Sequence, residues 1–352
     1  MRDNANEMDR RGFLRNTVAG GTMLALATSG NAGAAVPAAK SISLSGTLPR
    51  KRFGRTNHDL PILGHGGSAL IEQEKHHYGL TEIPAIAQRV AMVRDAYDKG
   101  LRYFDTARIY GESESIFGKA LKDVRGNVFL ASKSMMFNVE GVRKSVENSL
   151  EQLGTDYLDS LQLHGPVIEK LGYDGCMPIV EEMLKLKAEG HFRFLGLTGH
   201  SRFEEMYKLI ASNHFDTLLI ERGYFHKGYN TRHSVTSIEW RDMCLAKAHE
   251  LDLGIVAMKV LGANIFSHNA KNIWPEYDEA RRSKLAGAAI RYVLTDPRVS
   301  ILLLGVSLPD DVDKNIATLT GDTTYSNEDR MLLSEFAAKA YEAPVVTELK
   351  VV

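Results

Sequence analysis

The sequence predicts an α/β fold, a (β/α)8 TIM barrel opened by an N-terminal β-hairpin. Three observations lead there. Short apolar strands alternate with amphipathic helices over about 260 residues. Counted from Pro61–Gly64 there are eight such strands, nearly every one followed by a helix. No linker divides the run, so the chain reads as one domain. A doubly wound sheet is the runner-up.

The elements follow in order. "LPRKRFGRTNHDLPILG" reads as a hairpin turning at Thr56–Asp59. In "IPAIAQRVAMVRDAYDKG", Pro84 sits in a first turn, Ile86, Val90, Val93 and Tyr97 share a face, and Gly100 ends the helix. Strand "LRYFDT", helix "SESIFGKALKD" and strand "NVFLAS" come next. Val142, Val146, Leu150 and Leu153 mark a helix stopped by Gly154. Then strands "DYLDSLQLH", "FRFLGLTG", "FDTLLIE", "GIVAMKVL" and "VSILLLGVS" alternate with helices "MPIVEEMLKLKAEG", "RFEEMYKLIAS", "WRDMCLAKAHELD", "RSKLAGAAIRYVLTD" and "PDDVDKNIATLT". Strands this short and apolar suit a sheet covered on both faces. The long loops Ser68–Ile83, Arg222–Glu239 and Gly262–Tyr277 all follow strands, which in a barrel places them at the C-terminal rim.

The 352 residues are 44% hydrophobic and 25% charged, with formal net charge −1. That composition suits a globular domain with a sizeable core, and no basic run points to nucleic acid. Two cysteines, Cys176 and Cys244, make no disulfide framework. Residues 1–39 stand apart. Arg10-Arg11-Gly12-Phe13-Leu14 precedes a mild apolar stretch and an Ala-rich zone, and so resembles a twin-arginine export signal. The expectation is a periplasmic or exported protein with no stable membrane anchor, whose partner during transport is the twin-arginine export machinery.

Three strand ends carry polar residues: Asp105 after "LRYF", Lys133 after "NVFLAS" and His164 after "DSLQL", with Tyr110 one short loop beyond Asp105. Each alone has a bland reading as a cap, a solvated amine or a satisfied imidazole. Together they suit proton delivery to a carbonyl oxygen. A buried Lys needs a carboxylate. A nearby ammonium favours tyrosinate and makes the phenol a better acid. An imidazole orients the oxygen.

"DTARIYGESE", "SK", "DYLDSLQLHGP" and "GHFRFLGLTGHS", with the opening hairpin, resemble the aldo-keto reductase superfamily from about Arg50 to about Thr320. The resemblance implies a barrel domain over residues 50–345 and carbonyl–alcohol interconversion by hydride transfer, with a small carbonyl or sugar-like substrate. Its catalytic positions fall on Tyr110 as proton donor, His164, Lys133 and Asp105. Its cofactor positions fall on Thr198, Gly199, Glu221, Met258, Lys259, Leu261, Gly262, Gly305, Ser307, Asp311 and Asn315. The implied cofactor is NADP(H), with NAD(H) the second candidate because Asp311 would repel a 2′-phosphate. Glu221, Met258 and the Thr198-Gly199 pair depart from the residues usual in the family. Substrate-facing positions are expected in Met135–Asn138 and at His76, His77, Tyr78, His226, Tyr229, His233, Asn264 and Trp274.

Two decoys are set aside. Gly64–Ala69 satisfies a dinucleotide-fingerprint spacing, but no helix with an apolar face follows it. His76-His77 lacks further ligands at a metal spacing, so no metal is expected. The rival functional class is a non-catalytic nicotinamide nucleotide-binding or sensing barrel.

Overall fold

The computed structural model describes residues 48–352, except 73–74, 76–78 and 229–230. The expected export leader, His76, His77, Tyr78 and Tyr229 therefore lie outside the described residues. Strands β1 (Arg50–Arg52) and β2 (Asp59–Pro61) pair antiparallel. Eight parallel strands then close a barrel: β3 (Leu63–Gly66), β4 (Tyr103–Asp105), β5 (Phe129–Ser134), β6 (Leu158–Leu163), β7 (Phe192–Gly199), β8 (Thr217–Glu221), β10 (Gly254–Met258) and β11 (Ile301–Gly305). Closure is made by β3 lying beside β11, with Leu63 opposite Leu302 and Gly66 opposite Gly305. This is the predicted architecture, with its first strand starting two residues later than "PILG".

Alternation along the strands separates two cores. Phe104 and Leu130 point outward into the layer between sheet and helices. Tyr103, Phe129, Val256 and Ile301 point inward and fill the barrel. The hairpin closes its floor. Between β1 and β2 a 3-10 turn at Gly54–Thr56 aims Phe53, fully buried, into the barrel, where its ring meets Tyr103 and Phe129 edge-on at 5.7 and 5.3 Å. Among the described residues the interior is thus filled below, and a cavity opens at the C-terminal rim.

The helices depart from expectation in several places. The helix read at Met177–Gly190 is part of Gly165–Ala188, which breaks at Gly172 (φ 63°). It restarts with the Tyr173 amide donating to Glu205 Oε2 at 2.7 Å. The segment "RSKLAGAAIRYVLTD" forms the helix Leu285–Leu294, preceded by a separate short turn of helix at Glu279–Arg282. A helix not anticipated, Asn327–Glu342, begins with a Ser326/Asp329 capping box. It packs Leu332, Leu333 and Phe336 against Phe266 and Tyr277 in a separate apolar cluster. Beyond it, strand β12 (Lys350–Val351) pairs in parallel with β9 (Thr231–Arg232) in the loop after β8.

One buried group is at odds with its surroundings. His65 of β3 is fully buried between Phe104 and Phe117, and neither ring nitrogen reaches a hydrogen-bond partner among the described residues. Burial pulls its pKa down to about 4. As pH falls through 6.5 the unfolded chain binds this proton and the fold does not, so stability present above pH 6.5 is lost progressively toward pH 4. His65→Leu is expected to remove part of that acid-side slope, on the order of 2–3 kcal/mol by pH 4, in urea unfolding measured across pH 4–7.

Candidate active site

At the rim the inward-facing sequence changes from apolar to polar. Asp105 ends β4 two residues after Tyr103, and Lys133 lies on β5 four residues after Phe129 and two after Ala131, so all share the interior face. The register sets Lys133 beside Gln162 of β6. Lys133 Nζ donates to Asp105 Oδ1 and, at 2.7 Å, to the Thr106 carbonyl. Gln162 Nε2 donates to Asp105 Oδ2 at 2.5 Å. Both charged groups are about 2% exposed. Burial pushes the Asp105 carboxyl up and the Lys133 ammonium down, and their mutual attraction opposes both shifts.

Tyr110 arrives from the turn after β4. Its amide donates to the Ala107 carbonyl and its own carbonyl accepts from Ser113, both at 2.9 Å. The turn brings the Tyr110 ring centroid to 4.9 Å from Lys133 Nζ. His164 meets the same ring nearly perpendicular, at 6.2 Å between centroids. Burial first, then the charge of Lys133, holds His164 well below the usual imidazole range, so its ring is neutral. Its Nδ1 has no hydrogen-bond partner among the described residues.

The turn is held from behind. Thr106 Oγ1 donates to Ser113 Oγ at 2.8 Å, and Ser132 Oγ donates to the buried Glu114 carboxylate at 2.7 Å. Gly67 is required here for space. A Cβ on it would stand 2.4 Å from Ser113 Oγ and 3.0 Å from the Asp105 carbonyl oxygen. A 3-10 turn, Gly67–Leu70, follows it, so the glycines of "GHGGSA" serve close packing.

Asp105, Tyr110, Lys133 and His164 all line one cavity of about 500 Å³. Of the expected cofactor positions, Thr198, Met258, Lys259, Leu261 and Gly305 line it too, as does Asn264 from the expected substrate loops. Lys259 holds a left-handed backbone (φ 60°) at its wall, a conformation that costs about 1 kcal/mol or more outside glycine. Gly199, Glu221, Gly262, Ser307, Asp311 and Asn315 stand back from the cavity, as do His226, His233 and Trp274. Glu221 is enclosed by two imidazoles, His200 and His233. Asp311 Oδ2 accepts from the Ser307 and Leu308 amides at 2.9 Å and is met by His268 Nε2 at 3.1 Å. A carboxylate of this chain thus occupies amides that suit an anion, so a phosphate using both must displace it.

Sequence reasoning overlooked Gln162 and His200. Both were within reach of it: Gln162 precedes His164 by two on one strand, and His200 follows Thr198 by two. Period-two parity places both indoors.

The family model described as Aldo/keto reductase family matches residues 84–332. The chain belongs to this family. As an aldo/keto reductase it is an NAD(P)H-dependent oxidoreductase. It is 29% identical over 262 residues to L-galactose dehydrogenase of Arabidopsis thaliana, covering 66% of this chain and 77% of that protein. The holo form of an aldo-keto reductase from Bacillus halodurans superposes with TM-score 0.63 at 19% identity, covering 82% of this chain and 96% of that one. An aldo-keto reductase from Klebsiella pneumoniae in complex with NADPH gives TM-score 0.60 at 24% identity, covering 84% and 96%.

The buried pair makes a clear energetic statement. Lys133→Met leaves Asp105 buried without its counter-ion and is expected to cost about 3–5 kcal/mol in denaturant unfolding. Adding Asp105→Asn removes the orphaned charge and is expected to restore much of that loss, a coupling read directly by the double-mutant cycle.

Proposed function

We propose that Tyr110 is the proton donor of a carbonyl reductase whose substrate is a small carbonyl or sugar-like molecule. The observation that carries this reading is the buried Lys133 ammonium 4.9 Å from the Tyr110 ring centroid. A cation there favours the phenolate over the phenol, so it eases departure of the hydroxyl proton. Asp105, itself oriented by Gln162, keeps the cation in place. Neutral His164 faces the same ring and can hydrogen-bond the carbonyl oxygen without competing for its proton. The proton moves from Tyr110 Oη to that oxygen as the carbonyl carbon becomes tetrahedral.

The residues at the cavity fit a nicotinamide nucleotide. Met258 offers an apolar face to a ring, Thr198 a hydroxyl to an amide, and Lys259 a cation to phosphate. Thr198, Met258, Lys259, Leu261 and Gly305 would hold NADP(H), with NAD(H) the second candidate. When bound in reduced form, that group supplies the hydride. The sugar-like part of the reading is supported by the likeness to L-galactose dehydrogenase.

Tyr110→Phe is expected to lower kcat by about 10²–10⁴-fold while the NADPH dissociation constant, measured by cofactor fluorescence, stays unchanged. Turnover equal to the wild type would remove Tyr110 from the proton-donor role.

The leader motivates a second element of the reading, that the protein is exported folded through the twin-arginine machinery with its nucleotide already bound. Replacing Arg10 and Arg11 together with Lys is expected to retain the protein in the cytoplasm in cell fractionation. Unchanged fractionation sets the export reading aside.

A further inference from the structure

The end of β7 carries a second imidazole in a setting unlike that of His164. His200 follows Gly199, keeps the inward parity of Thr198 and lines the same cavity. Its Nδ1 lies 2.9 Å from Glu221 Oε1. The other oxygen of Glu221 is bonded to His233 Nε2. His233 is itself fixed: its side chain is fully buried, its ring packs against Phe203, and its Nδ1 lies 3.4 Å from Ser237 Oγ.

This arrangement assigns the tautomers. Burial alone would raise the Glu221 carboxyl, but the two imidazoles more than offset it and hold the group at about 2. An ionised carboxylate only accepts. His200 therefore donates from Nδ1 and His233 from Nε2. Burial, assisted by Lys259 and opposed by Glu221, keeps His200 below its ordinary range and so neutral. In that form Nε2 carries a lone pair, and it makes no hydrogen bond to any described residue. The cavity wall thus holds a rigid hydrogen-bond acceptor on β7, in addition to the Tyr110–His164 pair.

A carbonyl oxygen cannot donate to such an acceptor, whereas a hydroxyl can. We propose that His200 is a substrate-binding residue that accepts a hydrogen bond from a hydroxyl of the substrate other than the reacting oxygen, and that Glu221 and His233 are positioning residues that fix its ring. The assignment rests on the carbonyl-reductase reading above and narrows its substrate class to hydroxylated carbonyls, meaning hydroxyaldehydes and sugars, over simple alkyl aldehydes. An acceptor left without its donor is penalised, which is how such a site discriminates.

The test compares glyceraldehyde with propanal, three-carbon aldehydes that differ in their hydroxyls, using full-length protein and NADPH. His200→Phe fills the space without the acceptor. It is expected to raise KM for glyceraldehyde about 5- to 20-fold and to leave propanal within about 2-fold. Glu221→Gln is expected to give a smaller rise for glyceraldehyde alone, with kcat preserved. Both variants should still melt in a single cooperative transition. Equal losses on the two aldehydes, or a weakened NADPH dissociation constant that accounts for the loss, overturn the assignment. Saturation-transfer NMR with xylitol, a polyol without a carbonyl, reads the same contact without turnover. Xylitol contact in the nucleotide-loaded wild type and its loss in His200→Phe support the role of His200, even if neither aldehyde is reduced and the Tyr110 reading falls. Undiminished contact in His200→Phe overturns that role while leaving Tyr110 untouched.

Discussion

A lysine buried inside a barrel needs a counter-ion, and the Lys133–Asp105 pair is the interaction on which the site depends. Its two members come from different strands, so the pair exists only where β4 and β5 are in register, and that register is continuous with the stacked Tyr103 and Phe129 below. The floor matters for the same reason. Phe53 and Leu60 from the hairpin exclude water from beneath, and the ammonium then has Asp105 and the Thr106 carbonyl as its nearest acceptors. A cation so confined keeps its direction, and Tyr110 lies in that direction.

The barrel was legible because its signals are periodic. Alternating short strands and amphipathic helices are a long-range pattern, and errors at single elements do not disturb it. The strand-end polar residues were legible for a similar reason, since barrel geometry aims every strand end at one rim. Boundaries were less so. Gly172 breaks a helix through a local dihedral that nothing in its neighbours demands, and the Glu205 carboxylate that restarts it is 33 positions away from that glycine. The helix Asn327–Glu342 had a readable capping box in Ser326 and Asp329, but it falls beyond the last barrel unit, where the repeating pattern no longer directs attention.

The cofactor positions show where resemblance and geometry diverge. Position-by-position transfer places Glu221 and Asp311 as ligand contacts, yet each carboxylate is committed within the protein, one to two imidazoles and the other to two amides and an imidazole. Such commitments arise from residues distant in sequence, His233 and His268 among them, and no motif records them. His200 was hidden in the opposite way. It lies inside "GLTGHS", where the residues before it carry the resemblance and nothing in the string marks the imidazole.

The pairing of β12 with β9 has a consequence for how the protein is made. Lys350–Val351 lie along Thr231–Arg232, the Val352 amide donates to the Arg232 carbonyl, and the next residue is His233. The Glu221–His233 support behind the cavity wall is therefore buttressed by residues that leave the ribosome more than a hundred positions after Glu221. A nascent chain can close its barrel once β11 has emerged and still hold the His233 loop without this brace. The brace forms only once β12 has been made, so the support behind His200 is completed later in synthesis than the barrel that carries it.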